Sequence, residues 1–149
     1  MIKFEEITED NFSDVIRLEI NADQERFVAP NVRSLAECYL YKEEGDVFPY
    51  AISDEGTVVG FIIIDVEEDK REYMIWRMMI DKKYQRRGYG REVVKRVIES
   101  AKNSGDYDIL IADYVRGNEG MGTLLRSLGF KDHSFDEENN EYVLHYDLR

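Results

Sequence analysis

Residues 76–101 carry a strand, then a loop of arginines and glycines, then an amphipathic helix, and this order admits few folds. Gln85-Arg86-Arg87-Gly88-Tyr89-Gly90 lies between a strand ending at Ile80 and a helix with Val93, Val94, Val97, Ile98 and Ala101 on one face. Glycines at 88 and 90 let the backbone approach a ligand closely. The successive amides at the helix start point outward as donors, with the positive end of the helix dipole behind them. Arg86, Arg87 and Arg91 add full charges that suit phosphate oxygens, so the loop reads as a pyrophosphate site. It is not a P-loop, because the Gly-Lys-Ser/Thr ending is missing. A dinucleotide fingerprint is disfavoured too, since the third glycine is absent and the preceding strands read as antiparallel.

The rest of the chain places that loop within an alternating pattern. Ile2 to Ile7 reads as a strand, and Asn11 caps a short helix with Phe12, Val15 and Ile16 as its apolar positions. Ser34 with Glu37 forms a capping-box pattern opening a second helix through Cys38 and Tyr41. Strands at Pro49–Ser53, Val58–Val66 and Tyr73–Ile80 follow, joined by turns at 54–56 and 68–71 as an antiparallel meander. After the helix of residues 91–104 come a strand at Ile109–Val115, a helix capped by Asn118 and ended by Gly129, and a closing hairpin. The expectation is one α/β domain over residues 1–149: a mixed, mostly antiparallel sheet, helices on both faces and a central βαβ unit.

Charge narrows the partners. The chain carries a net charge of −12, yet Lys82, Lys83, Arg86, Arg87, Arg91, Lys95 and Arg96 face only Glu92 within residues 82–96. An acidic surface repels nucleic acid and anionic lipid and favours a cationic partner, while the basic island suits an anion. No apolar run approaches a membrane span, and residues 1–6 do not resemble a secretory leader, so a cytoplasmic protein is expected. Cys38, His133 and His145 lack ligand spacing, so no metal site is expected.

The loop, the preceding Trp76-Arg77-Met78-Met79-Ile80-Asp81, and Asn118 and Leu128-Gly129-Phe130 downstream together resemble the GNAT superfamily of N-acetyltransferases over nearly the whole chain. The resemblance implies acetyl-coenzyme A as cosubstrate. It places the pyrophosphate on Gln85, Arg86, Arg87, Gly88, Tyr89, Gly90 and Arg91, and the pantetheine arm along Met78, Met79 and Ile80. A bend in that strand would supply amides to polarise the thioester carbonyl. Asn118 matches a position that contacts the cofactor near the thioester, although helix capping also accounts for an asparagine there. Residues 24–31, 34–37 and 76–78 are also similar to bacterial members described as spermine/spermidine or diamine acetyltransferases.

That narrower resemblance implies a cationic small-molecule amine held by Glu25 and Glu37. Of the neighbours Asp113 and Tyr114, strand alternation lets at most one face the thioester, where it would accept a proton, hold the ammonium or donate a proton. Trp76 and Tyr73 read first as core and second as channel lining. Members of the superfamily often carry a tyrosine general acid seven residues after the asparagine; here that position is Leu125. The reading is direct transfer to a polyamine such as spermine or spermidine, with a homodimer left open. The alternatives are a protein N-terminus, lysine or antibiotic amine as acceptor, or a non-catalytic acyl-coenzyme A sensor.

Overall fold

The computed structural model describes the whole chain, Met1–Arg149. Its strands are β1 (Ile2–Glu6), β2 (Val47–Asp54), β3 (Thr57–Glu67), β4 (Glu72–Ile80), β5 (Ile109–Val115), β6 (Lys131–Asp136) and β7 (Glu141–Asp147). They form one sheet in the order β1-β2-β3-β4-β5-β7-β6, in which only β4 and β5 run parallel. The helices are α1 (Phe12–Arg17), α2 (Asn31–Leu40), α3 (Tyr89–Ser104) and α4 (Glu119–Ser127), with 3-10 turns at Ala22–Phe27 and Lys42–Glu44. The expected meander, βαβ unit and closing hairpin are all present. No helix is long and apolar enough to cross a membrane.

Alternation along β3 explains how the sheet is covered on both faces. Ile62, Ile64 and Val66 point into a large cluster with Val93, Val94, Val97 and Ile98 of α3 and Leu125 of α4. Phe61 and Ile63 point the other way, into a smaller cluster with Val15 of α1 and Cys38 of α2. A strand buried on both faces reads as a continuous apolar run.

Gly60 is the tightest point in this packing. A Cβ there would lie 2.5 Å from the Met79 carbonyl oxygen and 2.9 Å from Ile80 Cδ1. Because Gly60 is paired with Ile80 across the ladder, the obstructing backbone cannot retreat without breaking the β3–β4 register. Gly60→Ala should therefore destabilise the fold by about 3 kcal/mol, an overpacking cost read from the urea midpoint.

Two local readings need correction. Asn11 precedes α1, but its side chain makes no cap bond; it accepts from the Thr8 amide and donates to the Glu6 carbonyl. Only Val15 is buried in that six-residue helix, which has room for one contact face; Phe12 and Ile16 are about 40% exposed. Helix α2 begins at Asn31 rather than at Ser34. Pro30 holds the extended entry, and buried Ser34 instead receives a hydrogen bond from Arg77 Nη1 at 3.1 Å. A tertiary partner has replaced the local cap.

Candidate active site

The site begins where the parallel pair stops. β4 and β5 are paired only between Glu72–Ile75 and Ile109–Ala112, though the strands continue to Ile80 and Val115. On the other side of β4, Ile63 pairs with Arg77 and Ile64 with Ile75, which leaves Trp76 as an extra residue. A bulge bends its strand and increases the local twist. The bend therefore sits at Trp76, just past the last parallel pair and two residues before the Met78 position that the sequence suggested. Beyond it, residues 76–80 have no strand partner on the β5 side, and two cavities open there.

The first cavity, about 530 Å³, is bordered by Met78, Met79 and Ile80 of β4, by Gln85, Arg86, Gly88, Tyr89, Gly90 and Arg91, and by Asn118, Met121 and Leu124 around the start of α4, whereas Arg87 lies outside that border, over the Tyr84 ring. Arg86 and Gly88 both adopt left-handed backbone, with φ of 64° and 86°. Left-handed residues alternating with ordinary ones turn successive amides to one side, and the free amides of the α3 N-terminus extend that concavity. A Cβ built on Gly88 would meet nothing within 4 Å beyond its own chain neighbours, so the backbone there faces open space. Arg86, Arg87 and Arg91 form no ion pair, whereas Lys82 of the same basic island is held by Glu19 at 2.7 Å. Arg91 is braced by donating to Ser127 Oγ at 2.8 Å. A polyanionic pyrophosphate fits these donors and charges.

The second cavity, about 640 Å³, continues from the first on the other side of the fork. The two share Phe27, Val28, Met78, Asn118 and Met121. Its border carries the acidic residues Glu25, Asp113, Asp136 and Glu141 and the basic residues Arg26, Arg33 and Arg77, with Trp76 beside Arg77 on β4. Asp113 follows Ala112, the last residue of β5 paired with β4, and so stands at the fork while β5 stays paired with β7. Burial pushes its pKa up from 3.8 to about 8, helped by the charge of Glu141, a hydrogen bond between these two carboxyls, and the charge of Asp136. Asp113 therefore keeps its proton to a higher pH than an ordinary carboxyl.

Other expected residues are placed differently. Tyr114 and Asp113 both border the second cavity, but Tyr114 is buried in the large cluster and its hydroxyl accepts from Arg126 Nη2 at 2.7 Å. Glu25 borders the second cavity, but Glu37 is engaged by Arg77 at 3.2 Å and by Arg33 at 2.9 Å. Asn118 makes no capping bond and borders both cavities. Tyr89 donates to Asp54 at 2.6 Å, which leaves its backbone for a ligand. Leu125 is fully buried. Tyr73 packs on Tyr107 in the core, whereas Trp76 borders the second cavity. His133 and His145 stack at 3.8 Å, and no group of three or more His, Cys, Asp or Glu is arranged to hold a metal ion.

Several site residues escaped the sequence reading. Buried Asp81 accepts from the Glu19 and Lys83 amides, both at 2.9 Å, and so fixes the entry to the loop. Phe27 and Val28 separate the two cavities, and Glu141 meets Asp113 only through the β5–β7 register. The Asn21–Gln24 spacing, an asparagine followed three residues later by glutamine, was the available cue to the 3-10 turn.

Comparison with known proteins agrees with this geometry. Residues 9–130 match the Acetyltransferase (GNAT) family. A probable spermine N(1)-acetyltransferase of Bacillus subtilis subsp. natto is 27% identical over 107 residues, and the match spans 66% of this chain and 66% of that relative. The fold is similar to that of a ribosomal L7/L12 alpha-N-protein acetyltransferase solved with coenzyme A, with a TM-score of 0.81, 11% identity and coverage of 98% of this chain and 93% of that one. It is also similar to a Vibrio cholerae spermidine N-acetyltransferase solved with coenzyme A and spermine, with a TM-score of 0.74, 10% identity and coverage of 97% and 92%. With the family match over most of its length and the loop, fork and helix order in place, the chain belongs to the Acetyltransferase (GNAT) family as a GNAT-type acetyltransferase domain.

Proposed function

We propose that the chain transfers the acetyl group of acetyl-coenzyme A directly to a primary amine of a polyamine such as spermine or spermidine. The observation that carries this reading is the adjacency of a cleft bordered by the arginine- and glycine-rich loop and a cavity where Glu25, Asp113, Asp136 and Glu141 outnumber Arg26, Arg33 and Arg77, the last of these engaged by Glu37; the two are joined at Asn118 and Met78. The curated relative named for spermine supports the same acceptor class.

On this reading the amides of residues 88–91, with Arg86, Arg87 and Arg91, hold the pyrophosphate, and the unpaired edge at 76–80 lies along the pantetheine arm. The bound thioester supplies an electrophilic carbonyl; the free amine attacks it, the C–S bond breaks, and amide and thiol are released. The chain's own task is to deliver an amine that has lost its proton. Asp113, once ionised, accepts that proton, while Glu25, Glu141 and Asp136 hold the remaining ammonium groups near the fork. Leu125 offers no general acid, but a thiol pKa of about 8.5 makes the thiolate a tolerable leaving group near neutrality. Carboxyls at an open cavity attract polycations through fields that salt screens within about 10 Å at 0.1 M. Steady-state kinetics should thus show the spermidine KM rising with salt; a KM independent of salt would count against carboxylate recognition.

A further inference from the structure

The 3-10 turn Ala22–Phe27 forms the partition between the two cavities. Gln24 borders the cofactor side, Glu25 the acceptor side, and Phe27 both. None of the six residues is buried, and a further cavity of about 520 Å³ lies behind the segment, bordered by Leu18, Ile20, Val28 and Met79. Packing alone therefore holds this partition loosely.

Three side-chain hydrogen bonds tie it down, and all three end on Gln85 of the cofactor loop. Gln85 Nε2 donates to Gln24 Oε1 at 2.9 Å, Gln24 Nε2 donates to Gln85 Oε1 at 3.2 Å, and Asn21 Nδ2 donates to the same oxygen at 3.3 Å. Gln85 Nε2 also donates to the Ile80 carbonyl at 3.0 Å, which fixes the amide against the end of β4. Residues 20–30 form no ion pair with the rest of the chain. The Gln85 side chain thus faces the partition, leaving its backbone to the cofactor loop.

We infer that Gln85 and Gln24 are positioning residues through which the cofactor loop sets the acceptor wall at Glu25 and Phe27. Ordering the 85–91 loop around a pyrophosphate restricts the backbone that carries the Gln85 amide and so strengthens its existing hold on Gln24, keeping the adjacent Glu25 in register with Asp113 and Glu141. Coupling of this kind is reciprocal, so spermidine should tighten the cofactor by the same factor. The inference rests on the polyamine reading above.

Calorimetric titration of spermidine, without and with saturating coenzyme A, tests it. In the unaltered protein, coenzyme A should tighten spermidine about tenfold, the scale expected of a pair of hydrogen bonds. Gln24→Leu, which removes both amide bonds, should bring that ratio close to one. Gln24→Glu should retain most of it, because its carboxylate still accepts from Gln85 Nε2. Asn21→Ala should lower it in part, and carries the test if Gln24→Leu shows no cooperative melting. A ratio unchanged in Gln24→Leu, or near one in the unaltered protein that still binds spermidine, would overturn the coupling alone. Absence of spermidine binding in either state would overturn the acceptor reading and the coupling with it.

Discussion

Replacing Asp113 with asparagine should lower kcat/KM for spermidine by about 10²- to 10⁴-fold, the range for loss of a general base, while making the folded protein more resistant to heat at pH 8. The asparagine amide can still donate to Glu141, so the geometry of the pair is retained without its proton chemistry. The stability effect follows from the direction of the shift. Asp113 is raised from 3.8 to about 8, so between those values the folded chain binds a proton that the unfolded chain has released. That stabilisation is fully present below about pH 4 and is lost as pH rises through about 8. Asparagine has no charged form to bury, so its advantage grows with pH. In the unaltered enzyme kcat/KM should climb through about pH 8 as the pair gives up its proton. A bound ammonium favours the carboxylate, so the inflection in kcat should lie lower. Paired pH–rate profiles and melting curves decide this, and an Asp113→Asn enzyme with unaltered rate at every pH would remove the residue from the chemistry.

Gly88→Val should weaken coenzyme A binding by about 100-fold or more, the equivalent of one or two charge-assisted hydrogen bonds at about 1.5–3 kcal/mol each. The cause is backbone conformation, not crowding. Gly88 holds φ at 86° with open space around it, and a β-branched residue there would drive the loop out of the left-handed region. The amides of the loop then turn away from the pyrophosphate. Gly105 provides the control: it caps the opposite end of α3 at φ of 71°, also with nothing within 4 Å. Gly88→Val and Gly105→Val should therefore lose similar stability, yet only the former should lose cofactor affinity. Calorimetric titration beside thermal melts separates the two effects. Equal coenzyme A affinity in both variants would detach the loop from the cofactor.

Local chemistry made the glycine- and arginine-rich loop between β4 and α3 legible from the sequence alone. Glycines, arginines and a following amphipathic helix need only neighbours in sequence to be read, and Ile109–Val115 emerged with its bounds intact because a buried strand between turns has a clear period. What the sequence could not reveal depends on partners far along the chain. Trp76 becomes a bulge only through the register of β3 against β4. The pairing of Asp113 with Glu141 follows from β5 lying beside β7, and a polar pair divided between two strands leaves no periodic trace. The ion pair of Glu37, an acceptor residue implied by resemblance, with Arg77 joins residues forty apart and leaves no local trace. The start of α2 moved for the same kind of reason, since the Ser34 hydroxyl is occupied by that arginine.

The central claim, acetyl transfer to a polyamine, is tested most directly by following free-thiol release from acetyl-coenzyme A across spermine, spermidine, diamines, amino acids and lysine peptides between pH 7 and 9. The account predicts the fastest release with the polyamines, a rate that increases with pH, and little release with zwitterionic amino acids. Thiol release with none of these amines at any pH, or equal release with polycationic and zwitterionic acceptors, would contradict it.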